Sequence, residues 1–62
     1  MKKIKAKDLE PGQRVFLQKS LHEVVGKKVM AGKVVVTFKS VGRTAPEVNT
    51  KHYNPNADII MP

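Results

Sequence analysis

Sixty-two residues carry twelve Lys and Arg against five Asp and Glu, a formal net charge of +7, and no cysteine. One domain is the count such a length supports, and a chain of about 60 residues buries only about 60% of the surface its unfolded form exposes. The composition excludes a disulfide framework and a cysteine-based zinc site, while the charge favours a polyanionic partner.

In chain order, the N-terminus Met1-Lys2-Lys3-Ile4-Lys5 has the charge of a signal peptide without the apolar stretch that should follow, because Lys7, Asp8 and Glu10 arrive at once. No run approaches the length of a membrane span. The chain therefore reads as one soluble, cytoplasmic domain, residues 1–62, complete from Met1 to Pro62, with no membrane partner.

Glu10-Pro11-Gly12-Gln13 reads as a type II turn, with proline fixing φ at its second position and glycine supplying a positive φ at its third. Leu9 before it is a core anchor. Gln13 to Gln18 is a strand, with Val15 and Leu17 on one face and Arg14, Phe16 and Gln18 on the other. Lys19-Ser20 turns the chain into a second strand, Leu21 to Met30. Val24 and Val29 differ in parity there, so they share a face only if one extra residue intervenes, and Gly26 marks the place for such a bulge.

Ala31-Gly32 reverses the chain again. Lys33 to Lys39 is the clearest strand, with Val34, Val36 and Phe38 facing the core and Lys33, Val35, Thr37 and Lys39 facing out. Ser40 to Pro46 is a loop carrying Arg43, and Glu47 to Tyr53 is a polar fourth strand. Asn54-Pro55-Asn56 is a turn read as a single 3₁₀ turn. Ala57 to Met61 is the last strand, with Ile59 and Met61 on one face. It is either an edge strand, through which a monomer could form a weak homodimer, or it closes against the first strand with Ile60 covering the second face.

Five short strands punctuated every eight to ten residues predict an all-β fold, a small five-stranded barrel or a sandwich, and the order of the turns favours the barrel. An OB-like barrel is the alternative, although the loop from Ser40 to Pro46 is too short for the helix that OB folds often carry. The elements Asp8-Leu9-Glu10-Pro11-Gly12-Gln13-Arg14-Val15, Val34-Val35-Val36-Thr37-Phe38 and Asn54-Pro55-Asn56-Ala57-Asp58 resemble small, largely uncharacterised SH3-like barrel proteins encoded by bacteriophages and their bacterial hosts. The resemblance spans most of the chain. It implies an SH3-like fold and points to a phage origin, but it implies no activity, because that group has no shared function.

Ten of the twelve cations are lysines. Lysine is a point charge suited to phosphate, whereas arginine is preferred for bidentate reading of bases. The candidate contacts to nucleic acid, DNA or RNA, are Arg14, Lys27, Lys28, Lys33, Lys39, Arg43 and Lys51. Lys33 and Lys39 share one face of the clearest strand, about 20 Å apart at roughly 3.4 Å per residue. Binding of this kind would be salt-sensitive and tolerant of sequence. The alternatives are that the lysines only solubilise a small barrel, or that they dock it on an acidic protein surface, as an adaptor, an inhibitor or a minor assembly component. Phe16 shares a face with Arg14 and is the candidate for base stacking, against the preferred reading that it packs beneath the N-terminal segment on Ile4 or Leu9. Tyr53 closes one end of the core with its hydroxyl in water.

His22 and His52 lack a third ligand at metal-binding spacing, so neither metal nor cofactor is expected. No nucleophile elbow, P-loop or HExxH sequence occurs, and Ser20 and Ser40 sit at turns, so binding is expected and catalysis is not.

Overall fold

A computed structural model describes residues 2–42 and 44–62. Among them the chain is all-β: one antiparallel sheet of six strands, in the order β1-β6-β2-β3-β4-β5, that does not close into a barrel. The strands are β1 (Lys2–Lys5), β2 (Arg14–Leu17), β3 (Ser20–Met30), β4 (Lys33–Ser40), β5 (Val48–Tyr53) and β6 (Asp58–Met61).

The turns follow from their residues. Gln13 donates its backbone N–H to Glu10 carbonyl oxygen at 3.2 Å across Pro11-Gly12, and Gly12 takes φ +93°, which a type II turn demands of its third residue. Gly12 N–H to Val24 O and Val24 N–H to Gln13 O, both 2.8 Å, then tie this turn to β3. The β2–β3 and β3–β4 hairpins are closed by Gln18-Lys19 (φ 50° and 69°) and Ala31-Gly32 (φ 49° and 75°). Positive φ at both central residues matches the right-handed strand twist.

The bulge sits where the parity of the valines requires it. Met30↔Lys33 through Gly26↔Thr37 run in one register, Val24↔Phe38 through His22↔Ser40 run in another, and Val25 is the extra residue between them. Val24, Val34, Val36 and Phe38 are thereby brought to one face and buried, together with Val15 and Ile59. Val29 lies on that face too, yet it extends beyond the core and is 66% exposed. Each fully buried Val or Phe contributes about 1.5–3 kcal/mol. Phe38 is held edge-on between the rings of Tyr53 (6.2 Å) and His22 (6.5 Å).

Four expectations are corrected. The strands number six, not five, because Lys2–Lys5 pairs along β6 from Lys2↔Met61 to Lys5↔Asp58. Three lysines in four residues leave no alternation to read; only Ile4 turns toward the core, opposite Ile59. The 3₁₀ turn is Ala6–Asp8, after the first strand, not before the last. Ala6 at its start and Leu9 just after it are fully buried, and Ala6 and Lys7 donate N–H to Ala57 O (2.9 Å) and Pro55 O (3.1 Å). Asn54–Ala57 is a hydrogen-bonded turn, with Ala57 N–H to Asn54 O at 2.9 Å. The C-terminal strand is no edge: β6 lies between β1 and β2, meeting β2 at Phe16↔Ile60. Finally, Phe16 takes the face away from Val15 and the core, so it packs on neither Ile4 nor Leu9, which belong to the core side; its cross-strand neighbours are Ile60 and Leu21.

No helix among the described residues is long and apolar enough to cross a membrane.

Candidate functional site

β2 covers β3 only from Ser20 to Glu23, so the half of β3 from Gly26 to Met30 pairs on one side alone, with β4. This half and the start of β4 form an arm, backed by β5 as far as Val34↔Tyr53. Alternation places Lys28 and Lys33 on its outer face. Lys28 stands opposite Val35, two residues from Lys33, a diagonal of about 7–8 Å. The same face carries His52, across β4 from Lys28 in the row Lys28–Val35–His52.

The core-facing side of the arm carries the row Lys27–Val36–Lys51. Lys27 leans back over the core edge and donates from Nζ to the Lys7 carbonyl oxygen at 2.6 Å. This contact fixes the 3₁₀ turn against the arm and brings the Lys7 side of the turn to the same end of the molecule. Lys7, Lys27, Lys28 and Lys33 are all exposed and, among the described residues, none has a carboxylate within ion-pair distance. Asp8 and Glu10 follow Lys7 along the chain without pairing to these lysines. The tip between them exposes Val29 and, at 50%, Met30.

At the other end of the same strands a carboxylate offsets part of the charge. Glu23 stands opposite both Arg14 on β2 and Lys39 on β4. Its carboxylate lies 3.9 Å from Arg14 Nε and 3.5 Å from Lys39 Nζ. Lys5 is likewise engaged, donating to Asp58 Oδ1 at 2.8 Å. That hydrogen bond and the lysine charge hold the Asp58 carboxyl below its ordinary range.

The eight candidates therefore separate. Lys27, Lys28 and Lys33 are brought together on the arm. Lys51 is near them but half-buried, on the side that faces the core. Arg14 and Lys39 belong to the Glu23 cluster, which breaks the proposed Lys33–Lys39 track. Phe16 is half-buried on the outer face, and Arg43 lies outside the described residues. Sequence reasoning missed Lys7, whose place depends on the 3₁₀ turn, and missed the role of Glu23. The signal for Glu23 was available: counting back from the Ala31-Gly32 turn through one bulged residue sets it opposite Lys39. His22 and His52 fall on opposite faces of the sheet, and no group of three metal-ligating side chains forms among the described residues.

No protein-family model, no curated protein and no solved structure matches this chain.

Proposed function

We propose that this protein is a small nucleic-acid-binding module of SH3-like build, holding phosphates with Lys7, Lys27, Lys28 and Lys33 at the β3–β4 arm and doing no chemistry on its ligand. The observation that carries this reading is charge segregation along one hairpin: unneutralised lysines at the turn end, and Glu23-bound Arg14 and Lys39 at the other. Four exposed lysines without a carboxylate at ion-pair distance form a local field that a polyanion would relieve by releasing its own counterions. The Lys28–Lys33 diagonal is comparable with two 3.4 Å steps along a nucleic-acid strand. Point charges on a backbone give little base discrimination.

The SH3-like assignment is supported by the order β6-β2-β3-β4-β5 with a long, bulged β3. β1 is an addition beyond β6. The likeness to small phage and bacterial proteins of that build belongs to the same proposal.

The test is fluorescence anisotropy with a labelled 20-base-pair duplex between 50 and 200 mM salt. Four phosphate contacts predict a slope of log K against log salt near −3.6, a loss of about 150-fold over that range. Lys28→Gln with Lys33→Gln should bring the slope to about −1.8. Arg14→Gln with Lys39→Gln removes the same formal charge and should leave the slope in place. Binding with no salt slope, or equal losses in both double variants, refutes the assignment.

A further inference from the structure

The open sheet has two edges, and they are unlike. β1 carries Lys2, Lys3 and Lys5 in four residues, which is how natural proteins discourage a new strand from pairing. β5 is six residues, Val-Asn-Thr-Lys-His-Tyr, with one lysine, no proline and no bulge. Among the described residues its only strand partner is β4, so its other edge presents unpaired backbone donors and acceptors.

That edge is also flanked by space. Two cavities, of about 360 and 240 Å³, lie between β5 and the end of β2, and both are lined by Leu17, Gln18 and Lys51. Together they form one channel along the seam where the sheet fails to close. Tyr53 and Ile59 line one half, and Asn49 and Thr50 the other. The channel thus offers a strand edge on one wall, apolar side chains in the half beside Tyr53 and Ile59, polar ones in the half beside Asn49 and Thr50, and a cation at its middle.

We propose that β5 accepts an extended acidic segment of a partner protein, which pairs with its free edge as a further antiparallel or parallel strand and closes the seam. Strand addition draws affinity from backbone hydrogen bonds and specificity from alternate side chains. Six residues of β5 span about 20 Å, room for four to six residues of an incoming strand. The sign of the partner follows from the chain: Lys51 stands in both cavities, the molecule carries +7, and Asp58 at one end of the channel is already bound to Lys5. Glu47 lies at the opposite end, so the acidic side chain belongs at the centre of the incoming segment. A second copy of this chain is the poorer occupant, because a β5–β5 pair joins two molecules of the same high charge and repeats Lys51 on both sides of the seam.

Lys51 lies on the core-facing side of the sheet and Lys28 and Lys33 on its outer face, so separate variants distinguish this binding from nucleic-acid binding. Three capped hexapeptides serve as probes: alternating threonine and valine with a single central glutamate, the same peptide N-methylated at every residue, and the same peptide with lysine in place of the glutamate. Titration calorimetry reads affinity, and amide hydrogen exchange reads protection of β5. The acidic peptide should bind and slow exchange at amides of β5 that point away from β4. N-methylation, which removes the incoming donors, should weaken it at least tenfold, and so should Lys51→Glu. Lys28→Gln with Lys33→Gln should change it less than threefold. The proposal is overturned if the acidic peptide does not bind, if the methylated peptide binds equally well, or if the lysine peptide binds as tightly as the acidic one. It is also overturned if sedimentation shows a dimer in which β5 is already protected without peptide.

Discussion

Val36, Val35 and Val29 are the same residue within one hairpin, and the structure assigns them different environments. Val36 is fully buried, Val35 half-buried, and Val29 is 66% exposed. Truncating Val36 to Ala removes two methylene equivalents from the core, about 1.6 kcal/mol at ~0.8 kcal/mol each. A residual cavity of about 40 Å³ adds roughly 1 kcal/mol at ~24 cal/mol per Å³. The loss, about 2–3 kcal/mol, is a large fraction of the ~3–9 kcal/mol expected for a domain of this length. It should lower Tm by about 10–20 °C. Val29→Ala removes the same atoms from a site still mostly in water and should cost no more than about 0.5 kcal/mol. Val35→Ala should fall between them. Urea unfolding followed by far-UV circular dichroism measures all three, with unchanged m-values as the check on two-state behaviour. If Val35→Ala costs as much as Val36→Ala, the facing of β4 is wrong, because a one-residue slip exchanges the faces of the whole strand; if Val29→Ala does, the hairpin end does not extend beyond the core.

Other expectations follow from particular contacts. Asp58 has a depressed carboxyl pKa in the folded protein, so its contribution to stability is full above the ordinary carboxylate range near pH 4 and is lost as pH falls through the lower folded value; Asp58→Asn should flatten stability against pH below about 4 and leave it unchanged in shape above. Lys19 holds φ 69° without being glycine, a strain of about 1–2 kcal/mol, against about 0.5–1 kcal/mol of extra chain entropy for glycine; Lys19→Gly should therefore raise stability by about 0.5–1 kcal/mol in urea. Gly12→Ala at φ +93° should cost about 1–2 kcal/mol by the same measurement. Burial raises the Tyr53 hydroxyl above its ordinary value, so ultraviolet titration should place its ionisation above that of free tyrosine, and the stability it lends the neutral form is lost as pH rises through that folded value.

Much of the sheet was legible because local chemistry and tertiary burial agree. Pro11-Gly12 and Ala31-Gly32 have few conformations open to them, and Val34, Val36 and Phe38 alternate without interruption. The bulge was legible from parity alone. What escaped was set by distant partners. Lys2–Lys5 becomes a strand only because β6 is there to pair with it, and Ala6–Asp8 becomes a 3₁₀ turn against Pro55 and Ala57. Composition showed an excess of lysine but not its arrangement. Lys33 and Lys39 look equivalent on one strand until the bulged register brings Glu23 beside Lys39 and leaves Lys33 unpaired. The free edge of β5 is a property of the whole sheet order, which no single segment encodes.

In the function proposed above, the turn end of the β3–β4 hairpin is where this protein meets a phosphate backbone. Titration of isotope-labelled protein with an unlabelled duplex, followed by amide and lysine-methylene chemical shifts, tests it most directly. Changes should concentrate at Gly26–Lys33 and Lys7, with Arg14, Glu23 and Lys39 little affected. Changes centred on the Glu23 cluster, or none at low salt, would contradict it.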